Sequence, residues 1–96
     1  MVLSVLTALA EPTRLAAIRI LADGGEHCVC ELMTQCDATQ SRMSRHMGVL
    51  RAAGLVRDRR DAQWVRYRVS PDLTPELRAV LDAVLATTPQ FESQAA

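Results

Sequence analysis

The sequence predicts a mainly α-helical domain with one small β-hairpin, an α+β fold, and three observations predict it. Apolar residues recur at helical spacing in five blocks separated by Pro, Gly and Asp punctuation. One block alone, Trp64 to Val69, alternates apolar and polar residues as a half-buried strand does. The chain has 96 residues and is 49% apolar, which suits a single, small core and points to a homo-oligomer for further burial.

The first helix is marked by Val2, Leu3, Leu6 and Leu9 and ends at Glu11-Pro12. Pro12 suits the first turn of a second helix, carried by Leu15, Ile18, Ile20 and Leu21 and stopped by Asp23-Gly24-Gly25. A third helix is expected to begin between Glu26 and Val29, with Val29, Leu32, Met33 and Cys36 as its buried stripe. Asp37-Ala38-Thr39 is a turn. The fourth helix is expected from Gln40 to Ala53, capped by Thr39 and ended by Gly54, with Met43, Met47 and Leu50 inward. Strands are expected over Leu55 to Arg59 and Trp64 to Val69, joined by Arg60-Asp61-Ala62-Gln63. Trp64 and Tyr67 are expected to pack this hairpin against the helices. A last helix opens at Thr74-Pro75 and carries Leu77, Val80, Leu81, Val84 and Leu85. Residues 1–88 thus form one domain, and residues 89–96 read as a disordered tail.

Charge is polarised although the net charge is zero. All eleven basic residues are arginine, and eight lie between 42 and 68 against only Asp58 and Asp61, leaving that window at +6 and the rest of the chain at −6. A cationic surface of this kind points to nucleic acid. No stretch approaches the ~20 apolar residues that span a bilayer. Met1 to Ala10 lacks the basic start of a signal peptide, and three cysteines crowded within nine residues form no plausible disulfide framework, so a reduced, cytoplasmic protein is expected.

Two helices joined by a short turn, the second polar and cationic on its outer face, have the form of a helix-turn-helix, and the arginine-rich hairpin that follows adds a wing. On the fourth helix Gln40, Ser41, Arg42, Ser44, Arg45 and His46 are candidate readers of double-stranded operator DNA. Arg59, Arg60 and Arg66 of the hairpin are candidates for phosphate or minor-groove contact.

The segments Glu26-His27-Cys28-Val29-Cys30-Glu31-Leu32, Ser44 through Val56, Asp58-Arg59-Arg60 and Trp64 through Pro71 closely resemble the ArsR/SmtB family of bacterial metal-sensing repressors, the arsenic-responsive branch above all. The resemblance extends from Leu9-Ala10-Glu11-Pro12-Thr13-Arg14 through Pro71. It implies a homodimeric winged helix-turn-helix repressor, not an enzyme, without a constitutive cofactor, released from its operator by As(III) or Sb(III). It also implies dimerisation through the first and last helices, where Leu3, Leu6, Leu9, Leu77, Leu81 and Val84 form the expected interface.

With that resemblance Cys28 and Cys30 become the expected ligands of the soft inducer ion, for which clustered thiolates are suited. Residues two apart on a helix are rotated by about 200°, so binding of one ion by both is expected to distort the first turn of the third helix. Bridging sulfurs must approach to roughly 4 Å, given metal–sulfur distances near 2.3 Å in thiolate sites. The family's frequent third cysteine is replaced by Met33. Cys36 is either a core residue or a displaced third ligand. A methylated arsenic(III), needing two thiolates, is therefore an alternative inducer to arsenite. His27 beside Cys28 invites a zinc site, but a structural one usually takes four protein ligands, and the last helix has no histidine to build the zinc site of some relatives. Two rivals are a thiol redox-responsive repressor of the same fold and a small dithiol oxidoreductase. The latter lacks a Cys-x-x-Cys motif and leaves the arginines unexplained.

Overall fold

The computed structural model describes residues 1–87; the tail expected over 89–96 lies outside the described residues. Five helices and three strands follow in the order α1 (Val2–Leu9), α2 (Pro12–Leu21), β1 (His27–Cys28), α3 (Val29–Cys36), α4 (Gln40–Ala52), β2 (Val56–Asp61), β3 (Trp64–Val69) and α5 (Pro75–Leu85). The strands form one antiparallel sheet in the order β1-β3-β2.

Local chemistry sets most of these boundaries. Glu11, Thr39 and Thr74 cap α2, α4 and α5 by accepting the backbone N–H of Arg14, Arg42 and Leu77 respectively. Pro12 and Pro75 occupy first-turn positions, where a missing N–H costs nothing. Gly54, at φ +81°, ends α4: its N–H donates to Arg51 O, and that of Leu55 reaches back to Leu50 O, the paired bonds of a Schellman motif.

Val5, Ile18, Leu21, Leu32, Met43, Met47, Leu50, Leu55 and Leu81 are fully buried and form the centre of one core shared by α1–α5 and the start of β2. Leu32 and Met43 lie within it, so α3 and α4 are anchored in the same apolar mass.

The structure corrects four expectations. His27 and Cys28, not expected as a strand, form a short one paired with β3, and α3 starts at Val29, the late end of the expected range. The hairpin strand β2 runs two residues longer, to Asp61, leaving Ala62 and Gln63 as the turn, with Ala62 at φ +56°. Tyr67 is buried, but Trp64 is exposed at the hairpin end, outside the core. Leu9 and Leu81, expected at a dimer interface, belong instead to the chain's own core, because the end of α1 and the middle of α5 close over α2 and its neighbours.

Candidate nucleic-acid interface and adjoining thiol pair

The recognition candidate α4 is set by its cap and its buried stripe. Thr39 fixes its start, and Met43, Met47 and Leu50 fix its rotation, leaving Gln40, Ser41, Arg42, Ser44 and Arg45 exposed on the opposite side. These are the residues of the first two turns, where uncompensated backbone N–H groups add positive potential. Among the described residues, no acid lies within ion-pairing distance of Arg42 or Arg45. Asp37, in the left-handed conformation at φ +52°, makes the tight bend between α3 and α4.

His46 departs from its expected place on the reading face. Its side chain is 16% exposed and turns back toward α2, with Nδ1 3.2 Å from Arg14 Nη1 and 3.8 Å from Glu11 Oε1. Burial pushes its pKa below the usual imidazole value, and Arg14, Arg42 and Arg45 act in the same direction while Glu11 opposes them.

The hairpin charges are less free than the sequence implies. Arg59 of β2 donates three hydrogen bonds of 2.6 to 3.2 Å to the carboxylate of Glu26, just before β1. Arg66 of β3 pairs with Asp61 at 2.7 Å, Arg51 with Asp58 at 2.8 Å, and Arg57 with Asp72. Glu26 and Asp72 lie outside the cationic stretch of sequence and fold against it. Arg60 is exposed and has no acid within ion-pairing distance among the described residues.

The thiols lie where β1 meets α3. Cys28 is the last residue of β1 and the N-cap of α3, with extended backbone (φ −65°, ψ 144°), and its Sγ accepts the Cys30 N–H at 3.2 Å. Because Cys28 is not helical, the two side chains converge instead of diverging: Cys28 and Cys30 are joined as a disulfide, Cα atoms 5.1 Å apart. The expected chain without disulfides, and the expected need to unwind a helical turn, are both overturned by this one extended residue.

Cys36 is not brought to the pair. It ends α3, six residues or about 9 Å along the axis from Cys30, half-buried against the core. Burial pushes its thiol pKa up, and the Glu11 charge adds to that. His27 is held by two carboxylates, with Nε2 2.8 Å from Asp23 and Nδ1 2.8 Å from Glu31. The Asp23 contact, with Glu31, raises its pKa against a modest burial penalty. Among the described residues no group of three or more His, Cys, Asp or Glu could hold a metal ion, and no helix is long and apolar enough to cross a membrane.

Comparison with known proteins agrees with this geometry. Residues 11–58 match the family model described as bacterial regulatory protein, arsR family. The chain is 39% identical over 87 residues to the arsenic resistance transcriptional regulator ArsR2 of Pseudomonas putida, covering 91% of this chain and 76% of that one. It is 42% identical over 74 residues to the arsenical resistance operon repressor of Escherichia coli, covering 77% of this chain but only 63% of the relative's length. Among solved structures, HlyU from Vibrio cholerae superposes with a TM-score of 0.74 at 34% identity, covering 86% of each chain. The homodimeric winged helix-turn-helix DNA-binding domain of Mb0332 from Mycobacterium bovis gives 0.72 at 30% identity, over 86% of this chain and 76% of that one. With α3 and α4 as the helix-turn-helix and β2–β3 as the wing, this chain belongs to the arsR family of bacterial regulatory proteins.

Proposed function

We propose that this chain is a cytoplasmic, dimeric transcriptional repressor that binds operator DNA through α4 and the β2–β3 wing and is released when trivalent arsenic or antimony binds the reduced thiols of Cys28 and Cys30. The observation that carries the reading is the position of Cys28, which is at once a strand residue of the wing sheet and the cap of the helix packed against α4. An ion held there acts on both DNA-contacting parts. Arg42 and Arg45, exposed and without an ion-pair partner among the described residues, are suited to guanine edges, Gln40, Ser41 and Ser44 to bases or phosphates, and Arg60 to phosphate.

The donor set fits a soft ion bound by two protein thiolates. Each thiol–arsenic bond replaces an arsenic–hydroxyl bond and releases one water. With Cys36 remote, arsenite keeps one hydroxyl, and a methylarsenic(III) species fills both its exchangeable positions. The relatives named for arsenic resistance support the same inducer class. A conformation-selective ligand shifts the population only by its differential affinity, so release requires tighter binding to the DNA-incompetent form.

The disulfide favours a second reading, in which an oxidant such as a peroxide takes two electrons and two protons from the same pair and release follows oxidation. One titration decides. A duplex selected by the protein from a random pool is held by the reduced protein, and arsenite, antimonite, methylarsenite and peroxide are added separately. Release by arsenicals under reducing conditions is the expected result. Release by peroxide alone would replace the arsenic reading with the redox one.

A further inference from the structure

Arg14 sits in the first turn of α2, away from both the thiols and the reading face, yet its guanidinium reaches two other helices. Nε donates to Ala8 O at 2.7 Å and Nη2 to Thr7 O at 3.4 Å, two carbonyls in the last turn of α1, of which Thr7 O also accepts the Ala10 N–H. Nη1 lies 3.2 Å from Nδ1 of His46, in the middle of α4. We propose that Arg14 is a positioning residue for the recognition helix, tying His46 of α4 to the end of α1.

The chemistry of the contact defines its state. A guanidinium has five donors, no acceptor and never deprotonates in proteins, so His46 Nδ1 accepts and the neutral ring carries its proton on Nε2. His46 is one turn beyond Arg42 and next to Arg45, so holding its ring holds the azimuth at which those two arginines leave the helix. The same guanidinium registers α4 against α1, whose Leu3 and Leu6 are exposed. The orientation of the reading face is thereby tied to the helix expected at the interface between copies. The role rests on the DNA-reading assignment of α4 and is independent of the thiols.

Protonation of His46 would place a second donor and a second cation against Arg14. The charges acting on the ring are Glu11 and Arg14 from the start of α2 and Arg42 and Arg45 on α4 itself; α1 carries no charged side chain. The acids Glu31 of α3 and Asp58 of β2 are engaged with His27 and Arg51. Cys36 at the end of α3 shares the Glu11 carboxylate's field. Glu11 Oε1 is already held by the Arg14 backbone N–H at 2.8 Å, so it is a fixed alternative partner for a protonated ring.

The test combines nuclear magnetic resonance of the free full chain with duplex binding from pH 8 to pH 5.5 at constant salt. His46 is expected as the Nε2–H tautomer at pH 7.5, and affinity for the selected duplex is expected to fall about tenfold as the ring protonates. His46→Gln, which keeps a neutral acceptor, should retain the affinity seen at pH 8 and flatten the profile. Arg14→Ala should weaken selective binding at every pH while leaving non-selective binding to random duplex in place, a split that a folding defect would not produce. An Nδ1–H ring at pH 7.5, or a His46→Gln profile as steep as the parent's, would overturn the proposal. So would parental selectivity in Arg14→Ala. Absence of any duplex binding by the parent would overturn the DNA-reading assignment itself.

Discussion

Cys28 and Arg66 face each other across the β1–β3 ladder, so the thiol-bearing segment is hydrogen-bonded to the wing's own central strand. The same Cys28 caps α3 through its sulfur. Thiol pair, wing and helix-turn-helix therefore meet at one residue rather than being linked through a series of intermediates.

That double role separates two substitutions at Cys28. Cys28→Ser should keep the cap, since a hydroxyl is a strong N-cap acceptor, and should keep duplex affinity while losing release by arsenicals, because oxygen is a poor ligand for a soft ion. Cys28→Ala should also lose release but in addition cost up to about 1 kcal/mol of stability through the lost cap. Urea midpoints of the reduced proteins, with release titrations alongside, check both. Arsenical release from the Cys28→Ser, Cys30→Ser double variant would end the sensing assignment.

The ion pairs of the hairpin rank its arginines. Arg42→Ala and Arg45→Ala should each lose discrimination of about 1 to 3 kcal/mol between the selected duplex and random DNA, as base-reading residues do. Arg60→Ala should instead weaken all duplexes and reduce the salt slope by about one, as counterion release predicts. Arg66→Ala and Arg59→Ala should change that slope less, because Asp61 and Glu26 already neutralise those side chains. Equal slopes for the Arg60, Arg59 and Arg66 variants would contradict this ranking.

Much of the fold is legible because its signals are local. Pro12, Thr39, Gly54, Thr74 and Pro75 each act through their own backbone or one turn of it, and α1, α2, α4 and α5 follow them closely. A two-residue strand has no period to read, so β1 is invisible until β3 is in place, and with it the convergence of Cys28 and Cys30. Trp64 could have been placed from the sequence: Val65, Tyr67 and Val69 alternate with it, which puts it on the face of Arg66 and Arg68. His46, three residues after buried Met43 and four before buried Leu50, borders the inward stripe in the same way. The Glu26–Arg59 pair spans 33 residues and leaves no local trace. An apolar stripe also cannot tell a chain's own core from a partner's surface, which is why Leu9 and Leu3 look alike in sequence and part company in the fold.

His27 supplies a pH test of the segment that presents the thiols. Its pKa is raised by Asp23 and Glu31, so the folded state binds the imidazole proton more tightly than the unfolded state does. The stabilisation is fully present below about pH 6.5, the unfolded value, and is lost as pH rises through the higher folded value. Asp23 is held below the usual carboxylate range by the same contact and stays ionised throughout that window. His27→Gln should therefore lower the thermal midpoint more at pH 6 than at pH 9. An equal loss at both values would show that the imidazolium contributes nothing through its charge.

The placement of α1 and α5 sharpens what a dimer interface can use. Leu3 is 75% exposed and Leu6 45%, whereas Leu9 and Leu81 are buried in the chain itself, with Leu77 and Val84 half-covered between these extremes. Sedimentation of the parent at micromolar concentration should give twice the chain mass, with a thermal midpoint that rises with protein concentration, since association stabilises by mass action. A Leu3→Glu, Leu6→Glu double variant should sediment as a folded monomer and lose that concentration dependence, because it places charge on a face the monomer leaves in water. Leu81→Ala should behave oppositely. It removes core packing and costs about 2 to 5 kcal/mol of unfolding free energy, whether or not a partner is present. A parent that sediments as a monomer, or a double variant that still dimerises, would move the interface away from α1.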